Sequence, residues 1–181
     1  MKKIIALSAI ACAALVGCAT NEPEGAKVLS SSETAEGFRK GKLGKPFVVR
    51  PSMTEDKARV IVNKVYTSNN CPGGLLGWAE GGNYSPKTDE HSYLTIEAEA
   101  LAEEGGGNNS LMLDDIWVLM ENGFVDVGYA AVECATLDGT SDLLDPISEG
   151  EAHKKSRTYL VRNEAEKVAI GNYEFDIDKG N

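Results

Sequence analysis

The chain has 181 residues, with 28 acidic against 18 basic side chains and a net charge of −10 at pH 7. That balance excludes nucleic-acid binding, which needs clustered Lys and Arg to neutralise phosphates. With only two His and four Cys, few side chains are available for metal ligation or nucleophilic catalysis.

The N-terminus reads as an export signal. Lys2 and Lys3 form a positive start, and residues 4–16 are an apolar run too short to span a bilayer as a helix. The run ends in Leu15-Val16-Gly17-Cys18, which resembles the lipobox of bacterial lipoproteins. That resemblance implies cleavage before Cys18, a diacylglyceride on its thiol and a further acyl chain such as palmitate on the new N-terminus. Ala9-Ile10-Ala11 or Ala11-Cys12-Ala13 offers a plain small-x-small cleavage site, but either truncates the apolar run. Several acyl chains hold a protein on a membrane without a spanning helix, each buried methylene contributing about 0.8 kcal/mol. Loss of Lys2 and Lys3 with the signal takes the net charge from −10 to −12. Ala19, standing where an aspartate would signal retention, directs the protein to the outer membrane if the cell has two membranes.

Residues 18–45 show no apolar periodicity and read as a flexible tether. Its coil dimension is about 29 Å and its stretched limit about 90 Å, enough to lift a domain clear of headgroups. Arg39, Lys40, Lys42 and Lys45 form a basic cluster at its end. Two readings stand for it, a solvated linker end or a contact with anionic headgroups or wall polymer.

Residues 46–178 suffice for one domain with its own core. Strands are predicted over 47–50, 58–67, 111–120, 124–136 and 157–162, rich in Val, Ile, Tyr and Leu. Leu94, Ile96, Ala98 and Ala100 alternate with Tyr93, Thr95, Glu97 and Glu99, the pattern of a strand with one wet face. Residues 97–104, rich in Ala and Glu, are the one stretch with a competing helical reading. In the last strand Tyr173, Phe175 and Ile177 alternate with Glu174, Asp176 and Asp178. Asn122-Gly123 predicts a hairpin within 111–136, and Asp138-Gly139, Glu149-Gly150 and Gly171-Asn172 punctuate the remainder. The fold class expected is all-β, an antiparallel sandwich.

In order, the segments 57–65 (KARVIVNKV), 93–99 (YLTIEAE), 147–151 (ISEGE) and 157–161 (RTYLV) resemble a family of extracellular immunoglobulin-like β-sandwich domains of unknown function. These occur on small secreted and lipid-anchored bacterial proteins. The likeness spans about residues 43–178 and implies an immunoglobulin-like sandwich, with no catalytic residues. The chain departs from the pattern at Glu149, where proline is common, and in its Asn/Gly-rich stretches at 68–92 and 105–110.

With Cys12 removed and Cys18 acylated, Cys71 and Cys134 remain and are expected to pair in an exported compartment. The bridge would close a long loop, worth about 4 kcal/mol in the chain-entropy account, and would fix the 68–92 loop to the strand carrying Cys134. No Cys-x-x-Cys motif points to redox chemistry. His91 and His153 lack partner spacing and read as surface residues. Gly139-Thr140-Ser141 begins a nucleophile elbow, but Leu143 fills the second glycine's place. Asp138, Asp142, Asp145, Glu149 and Glu151 form an acidic stretch open to two readings, a solvated loop or a calcium site.

Trp78 and Tyr84 lie among glycines in the 68–92 loop and are the candidate partner-binding residues. For Trp78 the alternative is that it folds down to cap the core; Trp117, beside Ile116 and Val118, reads as core. The function expected is a non-enzymatic, lipid-anchored envelope protein whose sandwich presents loops to a protein or envelope partner, with no cofactor. The alternatives are a structural or assembly lipoprotein of a membrane complex, acting through a sheet edge, or an envelope hydrolase with His91 or His153 in a cleft.

Overall fold

The computed structural model describes residues 37–49, 57–80, 90–104, 116–123 and 125–180. Cys18, Tyr84 and the signal lie outside these residues. All regular elements among them are strands: β1 (Arg39–Lys40), β2 (Pro46–Val49), β3 (Lys57–Ser68), β4 (His91–Glu104), β5 (Ile116–Met120), β6 (Val125–Val127), β7 (Tyr129–Ala130), β8 (Ser141–Asp142), β9 (Ala152–Arg162), β10 (Ala165–Ile170) and β11 (Tyr173–Asp176). They form two sheets, one ordered β1-β11-β10-β5-β6 and the other β2-β3-β4-β9-β7, with β8 beside β9. The pairing is antiparallel except at β1·β11 and β8·β9. The all-β sandwich expected from the alternating patterns is the observed fold, and 97–104 is strand throughout.

Period-two burial builds the core. Val60, Val62, Leu94, Ile96, Ala98, Tyr159 and Val161 of one sheet meet Ile116, Val118, Val168, Ile170 and Phe175 of the other. Trp117 is not among them. It points to the other side of its sheet, half buried with Leu119, Val125, Ala169 and Phe38 in a satellite cluster. Its odd position between Ile116 and Val118 sends it there.

The two sheets are joined along both flanks. On one flank Phe47 of β2 stacks on Tyr173 and Phe175 of β11, with ring centroids 4.8 and 5.5 Å apart. The chain beyond β11 then crosses over, and Asp178 pairs with Tyr66 of β3. On the other flank the expected 124–136 strand breaks. Residues 125–127 pair with β5, whereas 129–130 pair with β9 of the facing sheet. Gly128 makes the passage, with Val118 of one sheet and Tyr159 of the other 3.4 and 3.5 Å from where a Cβ would stand.

The turns follow the sequence signals with one difference. Gly171-Asn172 closes a two-residue hairpin, with Ile170 opposite Tyr173. Asn122-Gly123 sits instead in a longer connection, closed by Gly123 N–H donating to Met120 O at 2.9 Å, with Leu119 opposite Val125. Residues 38–45, read as the end of the tether, contribute β1. Arg39 N donates to Asn172 O and Gly41 N to Glu174 O, each at 2.8 Å.

Replacing Phe47 with Ala removes the ring that bridges the two sheets and is expected to cost about 3 to 5 kcal/mol. Urea unfolding checks this; a loss below about 1 kcal/mol would show that the flank closes without it.

Candidate functional site

The face of β4 read as wet is covered over its first half. Tyr93 and Thr95 are fully buried, as are Ser156 and Thr158 on the adjacent β9. The cover is made by two segments, 71–80 and 131–140, tied together by a disulfide between Cys71 and Cys134. The expected pairing is therefore present, with Cα atoms 5.2 Å apart and 63 residues between them in sequence. Hydrogen bonds run beside it: Leu76 N to Glu133 O at 2.9 Å and Ala135 N to Gly74 O at 3.0 Å. The approach is close enough to demand glycine at 73, where a Cβ would stand 2.3 Å from Ala135 O.

Under this cover the polar groups are paired, as burial requires. The Thr95 and Thr158 hydroxyls, opposite one another in the ladder, lie 3.0 Å apart. Tyr93 Oη donates to Glu133 Oε1 at 3.1 Å. Ser156 Oγ accepts from Leu137 N at 2.9 Å and bonds Thr140 Oγ1 at 2.6 Å. Burial, reinforced by the Glu133 carboxylate, holds the Tyr93 phenol well above its ordinary pKa.

Above the cover the side chains are apolar and exposed. Trp78 is 57% exposed, so it does not cap the core; the buried residue of that turn is its neighbour Ala79. Leu76 and Val132 are exposed beside it, and Val132 is followed back along the chain by exposed Tyr129 and Val127. Leu76, Val132, Cys134, Thr136 and Thr158 share the walls of one hollow of about 330 Å³ with Arg157. Segments 71–80 and 125–136 together carry Glu80, Asp126 and Glu133 and no Lys or Arg.

Within the acidic stretch Asp142 and Asp145 meet the chain's own cations, while Asp138, Glu149 and Glu151 are exposed. Lys155 is buried and its Nζ donates to the main-chain oxygens of Asp142 and Asp145 at 3.0 and 2.9 Å. Burial lowers the Lys155 pKa, and the nearby Asp145 and Asp142 carboxylates oppose that shift. Arg157 Nη1 meets Asp142 Oδ1 at 2.5 Å, and its guanidinium lies 5.8 Å from the Tyr159 ring centroid. Glu151 pairs with His153 at 3.1 Å. Lys155 and Arg157 thus engage two main-chain oxygens and one carboxylate oxygen of Asp142 and Asp145, and Leu143 and Ile147 anchor the loop in the core. Lys155 and Arg157 were not legible as its partners: Lys155 precedes the strand predicted at 157–162, and that prediction rests on apolar content alone.

The other histidine has different surroundings. His91 opposes Arg162 across β4 and β9. Both line a cleft of about 240 Å³ with Asp126, Tyr129 and an apolar floor that includes Val118, Met120, Val127 and Leu160. Ser141, the serine of the incomplete elbow, lies on β8 in parallel pairing with Lys155 and forms no strand-to-helix turn.

No protein-family model matches the chain, and no curated protein matches it in sequence. Among solved structures it is similar to MPT63, a secreted protein from Mycobacterium tuberculosis. The TM-score is 0.51 at 15% identity, covering 77% of this chain and 97% of that one. At this identity the likeness is one of β-sandwich fold.

Tyr93 gives the cover a signature in alkali. The unfolded chain releases the phenolic proton near pH 10 whereas the folded chain holds it, so folding stability falls as pH rises past about 10. Tyr93→Phe is expected to lose about 1 to 2 kcal/mol at neutral pH, from the missing bond to Glu133. The wild-type advantage should then shrink between about pH 9 and about pH 11. Denaturant titrations of both proteins check it, and an advantage independent of pH would place the phenol in water.

Proposed function

We propose that this protein is a lipid-anchored, non-enzymatic envelope lipoprotein that binds a protein or envelope partner through the face built on its disulfide-tied segments. The observation that carries the reading is the exposure of Trp78 above a tightly hydrogen-bonded base. A large aromatic held out on a rigid support loses little conformational freedom on binding and fills a partner's pocket well. Leu76, Val132 and Tyr129 extend the apolar area around it. Tyr84, which lies outside the described residues, belongs to the same loop in sequence and is the second candidate partner-binding residue.

The anchor follows from the lipobox-like Leu15-Val16-Gly17-Cys18, with Cys18 as the lipidated residue and the tether behind it. An exported location agrees with the Cys71–Cys134 disulfide, a bond that oxidising compartments preserve, and with a fold neighbour that is secreted. Ala19 favours the outer membrane where two membranes exist. A scaffolding role through sheet augmentation has less support. β7 and β1 are two residues long, β2 opens on Pro46, and Val132 N turns back onto Ala130 O at 3.0 Å, all features that blunt an edge. A hydrolase has less support: among the described residues the walls of the cleft holding His91 carry no Ser, Thr or Cys.

Two experiments test this reading. Cys18→Ser is expected to abolish incorporation of labelled palmitate and to leave the signal uncleaved, read as a heavier chain; labelling unchanged from wild type would remove the anchor. A photocrosslinking residue at position 78 of the lipidated chain is expected to give one dominant adduct in cells, while the same residue at exposed Lys154 gives none. In parallel Trp78→Ala should move stability by less than about 0.5 kcal/mol; a loss above about 2 kcal/mol would make Trp78 part of the fold instead.

A further inference from the structure

The flank opposite β6 and β7 gathers bases. β1 and β2 are the terminal strands of the two sheets there, joined by residues 41–45. Residues 38–49 carry Arg39, Lys40, Lys42 and Lys45 and no Asp or Glu, in a chain whose net charge is −10. All four are exposed. The segment is built into the domain: Arg39 N and Gly41 N bond to the strand beside them, Gly44 N donates to Val62 O at 2.8 Å, and Lys45 N donates to Lys42 O at 3.1 Å. No Cβ fits at Gly41, which lies against the Phe175 ring. Leu43, inside the turn from Lys42 to Lys45, and Val48 on β2 are half exposed beside the bases. Of the acids on the adjoining β11, Glu174 is held by Lys167 at 2.7 Å, and Asp176 faces Lys40 at 3.8 Å in an exposed pair of little energy. Asp178 Oδ1, further along, accepts from Gly180 N at 3.0 Å. Arg39, Lys42 and Lys45 make no ion pair among the described residues.

A basic flank with an apolar tip, on an acidic protein, fits a surface that is anionic outside and apolar beneath. Basic side chains are drawn to anionic headgroups over about a Debye length, and an apolar residue among them buries at the headgroup boundary. A wall polymer would answer the charges and leave Leu43 in water. The place in the chain agrees: Gly37 stands 19 residues after Cys18, a stretch that reaches at most about 65 Å. We infer that this flank rests on anionic phospholipid headgroups, with Arg39, Lys40, Lys42 and Lys45 on the phosphates and Leu43 at the interface. The inference uses the anchor proposed above: the acyl chains hold the protein, and this contact orients it. Since β6 and β7 end the two sheets on the other flank, Tyr129 and Val132 lie on the side away from the bilayer.

The mature chain from Cys18 onward is coupled through the Cys18 thiol to a maleimide lipid in nanodiscs; Cys71 and Cys134 are bonded to each other and do not compete. Coupling supplies the attachment, so the result is independent of native acylation, which the palmitate label tests by itself. Nanodiscs of phosphatidylcholine alone are compared with nanodiscs containing about one-third phosphatidylglycerol, each with a trace of lipid bearing a gadolinium chelate that broadens nearby methyl signals. With phosphatidylglycerol, broadening of the Leu43 and Val48 methyls is expected to exceed that of Leu76 and Val132 at least about threefold. The excess should disappear in phosphatidylcholine alone, in about 0.5 M salt, and in the variant Lys42→Glu with Lys45→Glu. Lys42→Gln with Lys45→Gln, which adds no acid, should lose about half of it, and unchanged shifts of the Val60 and Ile96 methyls show that the core is intact. Broadening equal in the two lipid compositions, or an excess at Leu43 that survives the charge reversal, overturns the inference. Soluble polyphosphate, standing in for wall polymer, is added to the uncoupled chain; if it shifts the Leu43 methyls while phosphatidylglycerol has no effect, the flank faces the wall and the inference is overturned.

Discussion

The disulfide between Cys71 and Cys134 governs what this sandwich presents to its surroundings. A six-stranded antiparallel sheet packed on one face ordinarily offers water its other face, with polar side chains alternating outward. Here that face carries Tyr93 and Thr95 on β4 and Ser156 and Thr158 on β9, all buried. The covering segments 71–80 and 131–140 contain no strand longer than a single bridge, Leu75 to Cys134. Short, Gly-rich segments of this kind lose much conformational entropy on ordering and return little apolar burial. Closing a 63-residue loop in the unfolded chain offsets about 4 kcal/mol of that cost. Without the bridge the buried hydroxyls would face water and the support beneath Trp78 would loosen.

The same comparison explains what could be read from the chain alone. Content rich in Val, Ile, Tyr and Leu located β3 and the second half of β9, and alternation located β4 and β11, each with one face in the core. It also led to a wet face for β4, because Tyr and Thr are ambiguous between solvent and a second layer, and no local signal announces a cover arriving from elsewhere. Glu97 and Glu99, beyond the cover, do point outward, toward Lys64 and Asn63. The run at 124–136 looked continuous because Gly128 is the only interruption, and a lone glycine in a strand is compatible with a bulge as well as with a passage between sheets. β1 and β8 are two residues each, below the length at which periodicity exists. β10 buries Ala165, Val168, Ala169 and Ile170, a pattern without clean alternation, since both faces of that strand are covered.

Electrostatics divides the surface in a way composition conceals. Two acids of 138–151 answer to the protein's own interior: Asp142 and Asp145 offer main-chain oxygens to the buried Lys155, and Asp142 also holds Arg157. A buried ammonium without such oxygens would be costly, and main-chain carbonyls supply them without adding further charge. Lys167 meets Glu174 across the β10–β11 hairpin at 2.7 Å, and the Glu174 bond raises the pKa of its ammonium. The exposed apolar face, by contrast, lies on segments that have carboxylates and no cation of their own. A partner with basic residues around an apolar centre would find its charges unanswered there, which favours approach of that partner and discourages a second acidic copy of this chain.

The passage through Gly128 connects these features. It carries Val127 on one sheet and Tyr129 on the other, so both sit at the rim where the sheets part. Toward β9's end the gap is bounded by Arg162 and His91; toward Val132 the chain leaves the sheet edge and joins the disulfide-tied cover. A Cβ at 128 would stand 3.4 Å from Val118 and 3.5 Å from Tyr159, ordinary contact distances, so this position touches side chains of both sheets where the chain passes between them.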